Sequence, residues 1–452
     1  MKYFAILKDS LREALDSKVL YVMMAMSTLV IIFVACISFK PLSAEKTMEQ
    51  FFITGSRTPP LTVALNVHNQ QKMEEHKKLQ EELRNNLQAL ILFSLKKVDL
   101  VRGEPDAPES EYALTISYKP WPNAMIEFGG MTRPKDEAEA VRAIFREAED
   151  YDFLHVGTVE LIDKGIKEGD AKLYRVTIQG TPRMRRIWLT EPSLVGAIPL
   201  APAPSALGLQ LYFLTAIVLV FGTFAAVLVG IIITSFFIPN MLRKGTVDLL
   251  LAKPIHRWLL LVYKYIGGLA FVFFNTAFAM VGIWLVLGLR TGLWPNGSLL
   301  LVLTTTFFFA ILYAIATFVG VVTRSIVTSI MVTIAAWTLC FGVGTAHGFF
   351  DQQYRLEQDA EKKGRPLPEE KQWGDNTIGR VLRVAHAIIP RTSDVEQMND
   401  MIVYTDFMTG NLADMSKFDT SKRNWWESLL VSLVWIAIFL GLASLWFTFK
   451  DY

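Results

Sequence analysis

Residues Ile238–Tyr265 read I-P-N-M-L-R-K-G-T-V-D-L-L-L-A-K-P-I-H-R-W-L-L-L-V-Y-K-Y and sit between two long apolar runs, Leu207–Phe237 and Trp258–Leu289. Over 238–257 the basic residues Arg243, Lys244, Lys253 and Arg257 oppose a single acid, Asp248. A short loop this basic between two membrane spans belongs on the cytoplasmic side, because retention of Lys and Arg there sets orientation. Its middle is not loop-like. Thr246 is placed to cap a helix after Gly245, Val247, Leu249, Leu250 and Leu251 follow, and Lys253-Pro254 ends the segment. A short helix with an apolar face at a depth that lipid does not cover calls for a protein partner. The blander reading is a hairpin that only satisfies topology.

The order of a long span, a basic pair, G-T-V-D-L-L-L-A-K-P-I-x-R and another span resembles the membrane subunits of type-2 ATP-binding cassette (ABC) exporters. The resemblance is specific over about 235–268, looser over the other apolar runs and absent over 41–205. It implies that the loop docks on a separate ATPase subunit through Arg243, Lys244, Gly245, Thr246, Val247, Asp248, Leu250, Leu251, Lys253 and Pro254. It also implies that this chain binds no cofactor, that ATP and Mg are held by the partner, and that a second permease protomer completes the unit. Where many relatives carry a carboxylate just before the Gly-Thr pair, this chain has Arg243-Lys244.

Composition agrees with a membrane protein. Of 452 residues 52% are hydrophobic and 19% charged, against about 25% charged in ordinary soluble domains. A net charge of +2 is too small to argue for a nucleic-acid partner. Cys36 and Cys340 both fall in apolar runs, so they make neither a disulfide framework nor a metal spacing.

Taken in order, residues 1–18 place Phe4, Leu7, Leu11, Ala14 and Leu15 at helical spacing, the pattern of an amphipathic helix lying in the headgroups on the cytoplasmic side. Residues 19–39 form a first transmembrane helix, too long for the apolar core of a signal peptide and lacking a cleavage site. Residues 41–205 then read as an extracytoplasmic α+β domain. It has a helix over Lys72–Leu95, a half-buried strand of Tyr112, Leu114, Ile116 and Tyr118, a helix over Glu137–Asp150, and strands at Phe153–Ile162, Leu173–Gln179 and Arg185–Leu189. The Pro-rich tether Pro199–Pro204 leads back to the membrane. Transmembrane helices two to five occupy 207–344, with the coupling loop at 238–257 and the pair Gly267-Gly268 marking a close helix contact. An extracytoplasmic segment over 345–425 carries an amphipathic helix, in which Ile378, Val381, Leu382, Ala385, Ile388 and Ile389 share a face that Pro390 stops. It rests either on the outer membrane surface or on the spans. Residues 426–449 make the sixth transmembrane helix. The fold class is thus an α-helical polytopic membrane protein of six transmembrane helices with an inserted α+β extracytoplasmic domain. The expected location is the plasma membrane (the bacterial inner membrane), multi-pass in the lipid bilayer with both termini cytoplasmic.

No motif carries enzyme chemistry. There is no G-x-x-x-x-G-K-[ST], no H-E-x-x-H and no G-x-S-x-G, and the six histidines lie apart. No Asp, Glu, Lys or Arg falls deep in a span, which speaks against coupling to protons or sodium and for an external energy source. The polar residues inside the spans are Asn275-Thr276 and Thr304-Thr305-Thr306. Asn275 and Thr276 either line a pathway or bond between helices. The expectation is an exporter subunit that moves a substrate the sequence does not identify, with an amphiphilic compound as the candidate, on ATP hydrolysed by its partner. The alternatives are an ABC-type mechanotransmitter that works its outer domain without transport, or a membrane-anchored scaffold or sensor.

Overall fold

The computed structural model describes residues 18–52, 93–118, 137–164, 171–201, 203–241, 256–362, 377–408 and 425–450. The amphipathic helix expected over 1–18 lies outside these residues except for Lys18, as do most of the helix expected over Lys72–Leu95 and the middle of the basic loop, residues 242–255.

Among the described residues five helices are long and apolar enough to cross a membrane: Leu207–Ile232, Arg257–Thr291, Asn296–Thr323, Ile326–Arg355 and Trp425–Phe449. A sixth apolar helix, Leu20–Cys36, is shorter. In chain order we label the elements of this part α1 (Lys18–Cys36), α6 (Leu207–Met241), α7 (Arg257–Thr291), α8 (Leu301–Thr323, entered through a 3-10 turn at Asn296–Leu300), α9 (Ile326–Lys362), α10 (Thr377–Ile388), α11 (Thr392–Phe407) and α12 (Trp425–Phe449). α8 is the axis of the bundle, packed against α6, α7, α9 and α12. Its Phe308, Phe309, Leu312, Tyr313 and Ala314 are buried. The glycine pair does what its spacing predicts. A Cβ on Gly268 would stand 2.5 Å from the Tyr313 ring, and one helical turn away Tyr265 stacks on Tyr313 at 4.9 Å. α9 continues as helix to Lys362, well past the boundary expected at 344.

Between α1 and α6 lie two sheets. The larger is antiparallel, in the order β2 (Phe93–Arg102), β3 (Glu111–Tyr118), β5 (Lys172–Gly180), β4 (Leu154–Asp163). Helices α2 (Ala44–Phe52), α3 (Glu137–Ala143) and α4 (Arg146–Asp150) contribute to its core, in which Leu114, Val141, Phe145, Phe153, Leu154 and Val176 are wholly buried. β3 and β5 are in register at Tyr112↔Ile178, Leu114↔Val176 and Ile116↔Tyr174. β3 is buried on both faces rather than one, because it is a central strand and its off-core residues Ala113 and Ser117 are small enough to be covered. Two expected elements differ. Glu137–Asp150 breaks into two short helices at Ile144-Phe145, and the Arg185–Leu189 strand is instead a helical turn, α5 (Met184–Ile187), followed by strand β6 (Leu189–Leu194).

The smaller sheet joins domain to bundle. α1 passes without a loop into β1 (Ile37–Pro41), three residues before the span's expected end at 39, because β1 pairs antiparallel with β6 from Ile37↔Leu194 to Pro41↔Thr190. The chain then turns into β7 (Ile198–Pro199) and β8 (Ser205–Ala206), both on the other side of β6, and β8 runs straight into α6.

Candidate functional site

Asn275 and Thr276 sit midway along α7 and are both buried. A buried amide in a span is costly unless it finds a partner, and Asn275 finds Ser27 of α1, whose hydroxyl donates to Asn275 Oδ1 at 3.2 Å. Both residues line a cavity of about 120 Å³ between α1, α6, α7 and α8. Met23, Met26 and Met280 supply its flexible apolar wall, Gly222 opens it on the α6 side, and among the described residues no charged one lines it. An engineered apolar cavity of about 150 Å³ holds benzene, so this space suits a ring or a segment of alkyl chain.

The threonine triplet of α8 divides its work. Thr306 turns its hydroxyl back to Val302 O at 2.6 Å, and Thr304 bonds the carbonyl of Leu301 at 3.3 Å. Thr305 is instead among the residues that line the cavity, and its hydroxyl is buried with no hydrogen-bond partner among the described residues. The polar side chains in the wall are thus the bonded pair Ser27–Asn275 and the threonines Thr276 and Thr305, in an otherwise apolar lining. Chemically it can hold an uncharged, largely apolar group.

A second polar region escaped sequence reading. α11 carries Asp394, Glu396, Asp400 and Asp406 with no basic residue between them. Such a composition reads as solvent-facing, yet the helix packs against α6, α8 and α9 and closes the domain end of the bundle. Asp406 caps the 3-10 turn, accepting from the amides of Gly297 and Ser298 at 2.9 and 2.5 Å. Asp394 accepts from Ser428 at 2.5 Å and stands 3.3 Å from His386. Arg391, just before the helix, pairs with Glu427 at 2.6 Å. Burial, helped by the neighbouring Asp400, raises the Glu396 carboxyl to about 7, and burial raises Asp400 as well. The only sequence signal was an acidic run directly after an amphipathic helix and Pro390.

α10 shows its apolar Ile378, Val381 and Ile388 to the outside, not to the bundle, while Gly379 and His386 face inward. Of the two seats open to this helix, the exposed one suits a membrane surface.

The predicted docking residues, Arg243 to Pro254, lie outside the described residues. The ends of their loop do not. α6 ends at Met241, and Arg257 at the start of α7 donates to Lys450 O beyond α12 at 3.3 Å, so the loop leaves from the end of the bundle opposite the sheets. Among the described residues no group of three His, Cys, Asp or Glu side chains is placed to hold a metal ion.

A family model described as ABC-2 family transporter protein matches residues 4–452. No curated protein and no solved structure matches the chain.

Proposed function

The chain belongs to the ABC-2 family transporter proteins and is a permease of an ABC transporter, and from that premise we propose that it exports an uncharged or amphiphilic compound on ATP hydrolysed by a separate subunit. In this reading Leu20–Cys36 is the first of six spans, both termini are cytoplasmic, and two permease protomers work with two ATPase subunits that hold ATP and Mg in the plasma membrane. The Gly245–Leu251 segment docks on the ATPase through Val247, Leu250 and Leu251 beside Asp248. Closure of the ATPases then moves α6 and α7, the two helices that the loop joins, and these form two walls of the cavity at Asn275.

The cavity is the observation that carries the reading. Among the described residues it has no fixed charge to hold an ion, and Ser27, Asn275, Thr276 and Thr305 are the few polar side chains in a wall suited to an apolar guest. The test is ATP hydrolysis by the complex reconstituted with its ATPase subunit and a series of uncharged amphiphiles. We expect some members to stimulate turnover, and Thr305→Val and Asn275→Leu to lose that stimulation at unchanged basal rate. If no amphiphile alters turnover, export through this cavity is wrong. Leu250→Asp places an unpaired charge in the docking face, a change that costs about 3–5 kcal/mol when a buried pair is broken. It should abolish co-purification of the ATPase.

One observation favours a mechanotransmitter instead. The outer domain is bolted to the bundle: α1 runs into β1 and β8 into α6 without a loop, Arg290 of α7 donates to Ile37 O and Ser38 Oγ at 2.9 and 3.0 Å, and Gln210 of α6 donates to Thr190 O at 2.7 Å. Replacing Ala44–Ala201 by a flexible linker separates the two readings. An exporter keeps part of its amphiphile response, and a mechanotransmitter loses all function.

A further inference from the structure

The tip of the β6–β7 hairpin has no place in the account so far, and its chemistry is unusual for the end of a hairpin. Val195 and Gly196 both have positive φ, 52° and 71°. Gly suits that conformation, as Asn and Asp do to a lesser degree, whereas a β-branched residue there is an outlier. A chain that only had to turn in water would carry Asn or Asp at this point. Val195 is 73% exposed, Ile198 60% and Leu200 48%, and nothing lies within 4 Å of a Cβ built on Gly196. From Pro192 to Leu209 there is no charged residue.

The position of the tip says what covers it. β6 runs toward α1: the ladder with β1 begins at Thr190↔Pro41 and ends at Leu194↔Ile37. Beyond it the Val195 amide donates to Cys36 O, in the last turn of α1, at 2.7 Å. The tip therefore overlaps the end of an apolar helix whose Leu29, Ile32 and Phe33 are exposed. On the two strands themselves charge reappears three rungs up the ladder, at the pair Lys40↔Glu191, and the Arg290 guanidinium bonded to Ile37 O and Ser38 Oγ stands at the foot of the ladder. Trp294, also exposed, follows the end of α7 whose Arg290 is bonded to Ile37, and interfacial Trp marks the headgroup level.

We propose that Val195–Leu200 is a lipid anchor, seated in the headgroup–acyl boundary of the leaflet on the domain's side. The apolar tip continues the lipid-facing surface of α1 and holds the base of the small sheet at a fixed height. The proposal needs only that the apolar helices cross a bilayer, and it stands whether or not the cavity carries cargo.

The experiment uses the full-length protein in lipid nanodiscs. Phosphatidylcholine with a diazirine in its acyl chain is photolysed with the wild-type protein, and adducts are mapped by mass spectrometry. Adducts are expected on the peptide covering Val195–Leu200 as well as on α1. Adducts on α1 with none on 195–200 overturn the proposal. In parallel, Ile198→Cys in a background lacking Cys36 and Cys340 is labelled with an environment-sensitive fluorophore. The expected result is blue-shifted emission that brominated phosphatidylcholine cuts by more than half, with a label at Glu191→Cys unaffected. Water-like emission quenched by iodide contradicts lipid insertion. Blue-shifted emission that brominated lipid leaves unchanged, and that is lost on dilution to single copies, gives the tip to a second copy of the chain and also overturns the proposal.

Discussion

In the sheet domain between α1 and α6 the large side chains Phe145, Phe153 and Leu154 are wholly buried, whereas in the bundle Phe221, Val327 and Leu430 stay more than half exposed. The polar residues run the other way. In the domain Lys97, Glu160 and Arg175 stand at the surface, while in the bundle Asn275, Thr305, Ser329 and Thr333 are buried. Water drives apolar groups of the domain inward. Lipid tails are as apolar as Leu, so helices in a bilayer associate through close packing at small residues and through interhelical hydrogen bonds. Gly268 against Tyr313, Ser27 to Asn275, and Ser329 Oγ to Ala316 O at 2.7 Å are contacts of that second kind. An exposed Phe is thus unremarked in one region and a fault in the other.

The largest effect that would break this contrast comes from two phenylalanines. Phe153→Ala should destabilise the sheet domain by about 3–5 kcal/mol, the range for emptying an aromatic site in a core. Phe221→Ala, on the lipid face, should stay within about 0.5 kcal/mol. Denaturation followed by domain and bundle probes checks both, and equal costs would mean that the exposed face of α6 is buried by protein. Next in size is the joint between the regions. Arg290→Ala removes two hydrogen bonds to the start of β1, and a bond to a charged group is worth about 1.5–3 kcal/mol. Distances between spin labels on β3 and α8 should broaden in this variant and stay narrow in wild type.

A third effect lies in α11, outside the candidate spans. Glu396 binds its proton more tightly in the folded protein, up to about 7 against an ordinary value of 4.5. Between those values the folded state holds the extra proton, so stability falls as pH rises through this window. Thermal melts at acidic and mildly alkaline pH should show the fall, and Glu396→Gln should flatten it. The smallest effect is Ser27→Ala. Interhelical hydrogen bonds in bilayers average about 0.6 kcal/mol, and the unfolding free energy in lipid should drop by about that much.

Apolar length and glycine pairs are local signals, so the long apolar helices, the Gly267-Gly268 contact and the amphipathic α10 were legible from the sequence. β1–β6 was not, because its partners are some 150 residues apart and no local pattern announces them. Phe93–Arg102 was read in part as the tail of a helix, since F-S-L-K-K-V-D-L-V-R mixes charges with apolar residues at either period. The burial of α11 contradicts its own composition and follows only from tertiary packing. At the cavity, Asn275 was found because an amide in a span is rare. Thr305 could not be told from Thr304 and Thr306, as only the helix's rotation in the bundle decides which hydroxyl faces inward.

The central claim is that an uncharged compound passes through the cavity at Asn275 on a partner's ATP. The direct measurement is ATP-dependent movement of a fluorescent uncharged amphiphile across proteoliposomes containing the complex, wild type against Ala279→Phe, which fills the cavity from α7. The account predicts movement in wild type, and in the variant loss of movement with basal ATP hydrolysis retained. Equal movement in both, or none in wild type while ATP turns over and the outer domain changes position, would contradict it.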